Sequence, residues 1–398
     1  MAETREDLYT QKIFPTVNNE DLLEFRIPPN SRGHLDLSRV KLHFIATMNT
    51  PADDHQIAPQ NYFGAKQFSS LEVRLNGEAV ARRSCANEYF LASYFQHMLN
   101  YTTDYQMSGL KPHGIYDATQ LLTSILDPQT EEKTKEFLSK YRRQLTTSKE
   151  VEILMAIDST IFYSDDLLPS NTAIDLSFER ANASFSGILF KNAATCPDKP
   201  LPLTDCYLSL PFKKDEELFR MERNAIQRPL KIHFDDYQIK RFNIPKGTSS
   251  IMMSDLIAGP LPTKLFWGLQ SIESYTGSFK HCSSRLEMKD LIKVNLYVDG
   301  KEKDGFPLSM TSLHVCQPYV KWLENCNQDM NGFLSQVLTI DAFASGNFIL
   351  SATLSEETGS LSFEFEFATA LDQDLVLITC GLYERTMKLD HNRNFKVY

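Results

Sequence analysis

Three acidic doublets and one His-Cys pair are the residues whose types and spacing could do chemistry. Asp53-Asp54-His55 offers two carboxylates and an imidazole, a possible corner of a metal site. It stands in a polar stretch flanked by Pro51 and Pro59, which reads as a solvated loop. Asp165-Asp166 precedes Leu-Leu-Pro and also reads as loop. Asp235-Asp236 sits in a strand-like stretch, where a turn or bulge explains it. His281-Cys282 could be a ligand pair, or an imidazole beside a thiol nucleophile, but no further residue stands at a spacing that completes either arrangement. The nine histidines are scattered singly. The chain contains no G-x-G-x-x-G, Walker A, H-E-x-x-H or G-x-S-x-G pattern. Triads assemble from distant residues, so missing motifs lower the case for catalysis without closing it. No catalytic, cofactor-binding or metal-binding residue is assigned.

The elements that would position any such group are mostly strands. Val40, Leu42 and Phe44 alternate with Lys41 and His43, and Leu71, Val73 and Leu75 alternate with Glu72 and Arg74. The same period of two runs through Ile174–Phe178, Leu230–Phe234 and Val294–Val298, and most clearly through Leu361, Phe363, Phe365 and Phe367. One apolar face per strand predicts antiparallel sheets lying on a core. The continuous run Leu375–Ile378 predicts a strand covered on both faces. Helical spacing is confined to Asn87–Tyr101, Thr130–Leu145, Lys214–Ile226 and Pro318–Asn325. Helices this few do not alternate one-for-one with strands, so the expected class is all-β.

Length and composition set the scale. A chain of 398 residues, 42% hydrophobic and 23% charged, supports two domains with a core each. The 26 Phe and 16 Tyr suit pleated, half-buried surfaces. A net charge of -10 argues against a general nucleic-acid binder, which needs surplus Lys and Arg. The opening MAETREDLYTQKIFP has no basic region followed by an apolar core, so no signal peptide is expected, and no apolar run is long enough for a membrane span. Seven scattered cysteines without a C-x-x-C pair predict free thiols in a reducing compartment. Three prolines within residues 192–204 mark a division near the middle. The expected organisation is a flexible arm over 1–20, one sandwich over 21–195 and a second over 196–398. The closing residues 392–398 are expected to order only against a neighbour.

The halves echo each other. Leu71–Leu75 ends in Asn76-Gly77, and Val294–Val298 ends in Asp299-Gly300. Asn-Gly and Asp-Gly accept the positive φ of a type I′ hairpin turn. Each hairpin is followed by a cysteine and an aromatic helical stretch, Cys85–Tyr94 and Cys316–Trp322. X-Gly hairpins are common in any β protein, so chance and duplication both remain open. Two halves of this size fit β-sandwiches such as jelly rolls.

At the first hairpin the sequence resembles a known family. Phe63-Gly-Ala-Lys-Gln-Phe-Ser-Ser-Leu-Glu-Val-Arg-Leu-Asn-Gly-Glu-Ala-Val80, then Tyr89–Tyr94, then Met98-Leu-Asn-Tyr101, is similar to the major capsid proteins of Polinton (Maverick) elements, adintoviruses and polinton-like viruses. Leu110 and Asp117 take the places of a later Leu and Asp. Leu261–Leu269, Leu296–Gly300 and Arg385–Asn394 resemble the family's later segments in the same order. The helix reads Tyr-Phe-Leu-Ala-Ser-Tyr where the family more usually has Tyr-Arg-Ala-Tyr, and residues 120–190 are unmatched. The resemblance implies a double jelly roll and no enzymatic activity or cofactor. It also implies homotrimers of pseudo-sixfold outline, which would tile an icosahedral virion capsid inside the host cell beside a single jelly-roll minor (penton) capsid protein. Two rival readings are a cellular pair of β-sandwich binding modules, for instance for carbohydrate, and a hydrolase on a β-sandwich scaffold. The first predicts an aromatic platform, the second a convergence of carboxylates or histidines on one cleft.

Overall fold

The computed structural model describes residues 8–47, 57–82, 87–101, 109–115, 150–185, 187–190, 198–223, 229–311, 314–326, 338–355, 358–390 and 392–398. The helix expected over Thr130–Leu145 and the Asp53-Asp54-His55 cluster lie outside them.

In the first half the main strands are β1 (Leu8–Ile13), β2 (Leu22–Ile27), β3 (Lys41–Thr47), β4 (Phe68–Leu75), β5 (Glu78–Arg82), β6 (Glu150–Ala156), β7 (Ile174–Arg180) and β8 (Leu203–Lys213). One sheet has the order β1-β8-β3-β6, extended by short strands at 34–36 and 167–168. The other has the order β2-β7-β4-β5. In the second half come β9 (Leu230–Ile244), β10 (Ser250–Pro260), β11 (Lys264–Ser271), β12 (Leu291–Val298), β13 (Lys301–Glu302), β14 (Leu350–Thr353), β15 (Thr358–Phe367), β16 (Leu375–Leu389) and the closing β17 (Phe395–Val397). Its sheets run β9-β16-β11-β14 and β10-β15-β12-β13. Each strand number of the first half plus eight gives its counterpart in the second. Eight antiparallel strands in two facing sheets of this order make a jelly roll, so the chain is a double jelly roll. The echo between the two X-Gly hairpins is therefore part of a repetition of the whole topology.

Alternation explains the strands. Leu71, Val73 and Leu75 on β4 point into the first core, while Arg74 is exposed. Leu361, Phe363, Phe365 and Phe367 on β15 do the same in the second. The run Leu375–Ile378 opens β16, which lies between β9 and β11 and is buried on both faces through Tyr383. The buried apolar residues of both halves join in one cluster.

Three boundaries differ from expectation. Leu8–Ile13, placed in a flexible arm over 1–20, is strand β1, in register with β8 from Leu8↔Lys213 to Ile13↔Leu208. Its alternation is weak because, as an edge strand, it buries little of either face. Among the described residues strand β8 pairs only within the first half, so the first sandwich runs to Lys213 rather than ending at 195. Helix α2 (Glu216–Arg223) also belongs there, since both carboxylate oxygens of Glu222 accept from Ser170 at 2.6 Å and its Oε1 stands 3.1 Å from His34. The prolines of 192–204 mark the connection from β7 into β8, not the division between halves. The end of the chain is β17, paired with β16 from Met387↔Val397 to Leu389↔Phe395.

Candidate functional site: the seam between the jelly rolls

The four residues singled out in the sequence sit at corresponding hairpins. Asn76 and Gly77 have φ of 51° and 87°, and Asp299 and Gly300 have 50° and 74°, as a type I′ turn requires. The likeness extends to the atoms around them. Asn76 N donates to Ala173 O at 2.9 Å and its Oδ1 accepts from Ala173 N at 2.8 Å. Asp299 N donates to Ser360 O at 2.9 Å and its Oδ1 accepts from Ser360 N at 2.8 Å. Ala173 and Ser360 occupy equivalent places beside the two hairpins.

The turns then part ways. Asn76 Nδ2 donates to the carbonyl of Arg393 at 2.8 Å, and the Arg393 guanidinium donates to Ser170 O. The closing segment thus clasps the first half. Its loop is shaped by Asp390, whose Oδ1 accepts from the backbone N–H groups of Asn392 and Asn394 at 2.8 and 2.9 Å. An aspartate at 76 could not donate to Arg393. An aspartate suffices at 299, where the side chain is only an acceptor.

The main seam is built by helix α1 (Glu88–Asn100). It is buried from Glu88 through Leu99, polar residues included, as a helix enclosed by protein must be. Its bonds reach into the second half: Asn87 Nδ2 to Tyr275 O at 3.0 Å, Tyr94 OH to Asn347 Oδ1 at 3.2 Å, and Asn100 Nδ2 to Tyr237 OH at 3.0 Å. Nearby, Lys66 is fully buried, with its ammonium 2.8 Å from Gln60 Oε1 and 4.9 Å from the Phe90 ring centroid. Gln60 Oε1 also accepts from Ser283 N and Oγ at 3.2 and 3.1 Å. Burial pushes the Lys66 amine down to about 8. Each such bond contributes about 0.5–1.5 kcal/mol net, but leaving one buried member unpaired costs about 1–3 kcal/mol. The polar network therefore fixes how the halves meet, while apolar burial supplies the attraction.

Beneath α1 lies a charged cluster. Asp158, 2% exposed, accepts from Ser93 Oγ at 2.5 Å and Tyr163 OH at 2.9 Å, with His97 Nε2 3.3 Å away. Burial pushes its carboxyl up, but His97, His113 and Ser93 outweigh that and hold it below its usual range. Burial, then the neighbouring His97, pushes His113 down to about 4. The seryl oxygen bonds the carboxylate rather than an imidazole, and the group is enclosed, so this is a satisfied core network and not a nucleophile with its base.

The acidic doublets do converge, which their spacing in sequence could not show. Asp165 and Asp235 line one cleft of about 290 Å³ at the seam, with Tyr163 and Tyr237. Asp166 Oδ2 accepts from His233 N at 3.0 Å. Burial, then Glu384, raises the Asp235 carboxyl, and Lys264 only partly offsets them. His281 and Cys282 diverge: His281 faces Glu273 at 3.5 Å, and Cys282 is buried against Ser284. Among the described residues no three His, Cys, Asp or Glu side chains group as metal ligands, and no helix is long and apolar enough to cross a membrane. The described cysteines are free, and burial pushes the Cys206 and Cys326 thiols up to about 11 and 12. Cys85 and Cys196 lie outside the described residues. The sequence reading missed Lys66, Asp158 and Arg393, whose partners are remote in the chain.

What the fold defines is a double jelly roll. Solved structures of this class match the chain throughout. A cryo-EM structure of the Sputnik virophage aligns with a TM-score of 0.60 at 10% identity, covering 100% of this chain and 89% of that one. The PBCV-1 virus capsid gives 0.56 at 10%, covering 100% and 98%, and the mavirus major capsid protein 0.55 at 11%, covering 100% and 91%. At such identities the likeness is one of fold. No protein-family model matches. In sequence, an uncharacterized Caenorhabditis elegans protein, F54H12.2, is 22% identical over 348 residues, 82% of this chain and 78% of that one.

Proposed function

We propose that this chain is a major capsid protein, a structural and non-enzymatic building block of a Polinton/Maverick-type virus or element related to the adintoviruses. The observation that carries the reading is the complete double jelly roll, aligned along its whole length with virus capsid structures. The ordered sequence segments from Phe63 to Asn394 support the lineage.

The work is geometric. Two jelly rolls form one rigid block, and three chains give a trimer with six similar corners. Trimers tile an icosahedral shell, assembled in the host cell, with a single jelly-roll minor capsid protein completing it. Intratrimer contacts are large and apolar at their centre, and those between trimers are smaller and more polar. The test is the mass of the purified protein by light scattering after size exclusion, with negative-stain microscopy of the same peak. A particle of three 45.5 kDa chains with a hexagonal outline, or closed shells, is expected. A monomer that never assembles refutes the proposal.

A further inference from the structure

Within the chain, the first half covers one edge of the second. Strand β9 pairs with β16 on one side. Along its other side Ser164 Oγ donates to His233 O at 2.7 Å and Asp166 accepts from His233 N, so the open backbone groups of His233 are capped. Helix α1 completes the cover, and Tyr237 is buried beneath Asn100 and Tyr163.

Among the described residues nothing covers the same two elements in the opposite halves in this way. The counterpart of β9 is β1, which pairs with β8 and has no strand on its other side among the described residues. Leu8 is 39% exposed, and Phe14, just beyond the strand, is 64% exposed. The helix in the same connection as α1 is α3 (Cys316–Asn325). Its Cys316, Gln317, Val320 and Glu324 form one exposed face, with Val320 at 42%. Large apolar side chains are thus left in water on both surfaces that correspond to the covered seam.

We infer that the outer face of α3 in one copy seats against the β1–Phe14 edge of a second copy, repeating between chains the cover that α1 gives β9 within one. The inference rests on the capsid reading and names its partner, another copy of this chain. The contact is head-to-tail, so it must close into a ring or run on as a filament. Because it alternates first and second halves, closure at three chains arranges six jelly rolls in a cycle.

The test uses the full chain. Val320→Glu and Phe14→Glu are compared with Met252→Glu, an apolar site on β10 whose exposure, 52%, lies between theirs. Wild type and Met252→Glu should run at three times 45.5 kDa, and each of the other two at one chain mass with unchanged circular dichroism. As a second measurement, Phe14→Cys should be joined to the native, exposed Cys316 of another copy by a bifunctional maleimide. Bands at two and three chains and none beyond are expected, and they should vanish when Cys316→Ser is added. A trimeric wild type whose Val320→Glu and Phe14→Glu variants stay trimeric, with no bridging to Cys316, overturns the interface while leaving the capsid reading standing. Bands running past three chains overturn the ring, and a monomeric wild type overturns both.

Discussion

Exchanging Asn76 and Asp299 in kind, as Asn76→Asp and Asp299→Asn in separate proteins, tests whether the duplicated turns have taken different jobs. Both residue types tolerate the left-handed backbone, and both keep the Oδ1 acceptor used by Ala173 N or Ser360 N. Turn geometry is therefore constant, and only the donor differs. Asn76→Asp removes the 2.8 Å bond to Arg393 O and sets a carboxylate oxygen against that carbonyl. Losing the bond and leaving the acceptor poorly satisfied costs about 1–3 kcal/mol. Asp299→Asn removes no bond, so it should stay within about 0.5 kcal/mol of wild type. For a jelly roll of this size 1 kcal/mol moves the melting temperature by about 2–4 °C. Thermal unfolding should show Asn76→Asp several degrees below wild type and Asp299→Asn level with it. Cleavage near the C-terminus under limited proteolysis should rise only in the former, since the clasp on Arg393 is what loosens. Equal shifts in the two variants, or none in Asn76→Asp, would refute the reasoning.

Other outcomes follow from the seam and the cores. His113 binds its proton at about 4 when folded and near 6.5 when unfolded, because burial disfavours the charged ring. The unfolded chain then takes up a proton the folded one refuses, so this stability is complete above pH 6.5 and falls as pH drops toward 4. At pH 5 the loss is about 2 kcal/mol, and His113→Asn should flatten the urea midpoint between pH 7 and 5. Tyr94→Phe leaves the fully buried Asn347 Oδ1 without its donor and should lower stability by about 1–3 kcal/mol in urea titration. Gly268→Ala on β11 would place a methyl 2.8 Å from Leu286 Cδ1 and 3.0 Å from Phe348 O, at a cost of about 1–3 kcal/mol that calorimetry would detect. Among the described cysteines of the unassembled chain, Cys316 should react first with maleimide at neutral pH, while Cys206 and Cys326 lag, as peptide mass mapping of the Val320→Glu variant would show.

What was legible in the sequence was whatever local pattern dictates. A strand with one face on a core must alternate, so β4, β7, β12 and β15 could be read directly, and β16 announced its two covered faces by losing alternation. The hairpins were legible because few dipeptides accept two successive positive φ values. Strand β1 was not, since an edge strand satisfies half its backbone in water and needs no apolar stripe. The prolines of 192–204 misplaced the division because a proline breaks any element, whether between domains or between strands of one sandwich. The seam was least legible. Asn76 and Arg393 are 317 residues apart, and Tyr94 and Asn347 are 253 apart, so no spacing rule reaches them.

The differences between the halves are ordered by position rather than scattered. Where an element meets the other half it is buried on every side or carries an extra donor, as α1 and Asn76 do. Where the equivalent element faces outward it keeps one wet face, as α3 does, or a plain acceptor, as Asp299 does. A symmetric pair of jelly rolls could not make this distinction, because one sequence would have to serve both surroundings. Covalent duplication removes that constraint, and each half adapts to a fixed neighbour. The contact proposed above extends the same logic to the outward surfaces left apolar, Val320 on one side and Leu8 and Phe14 on the other.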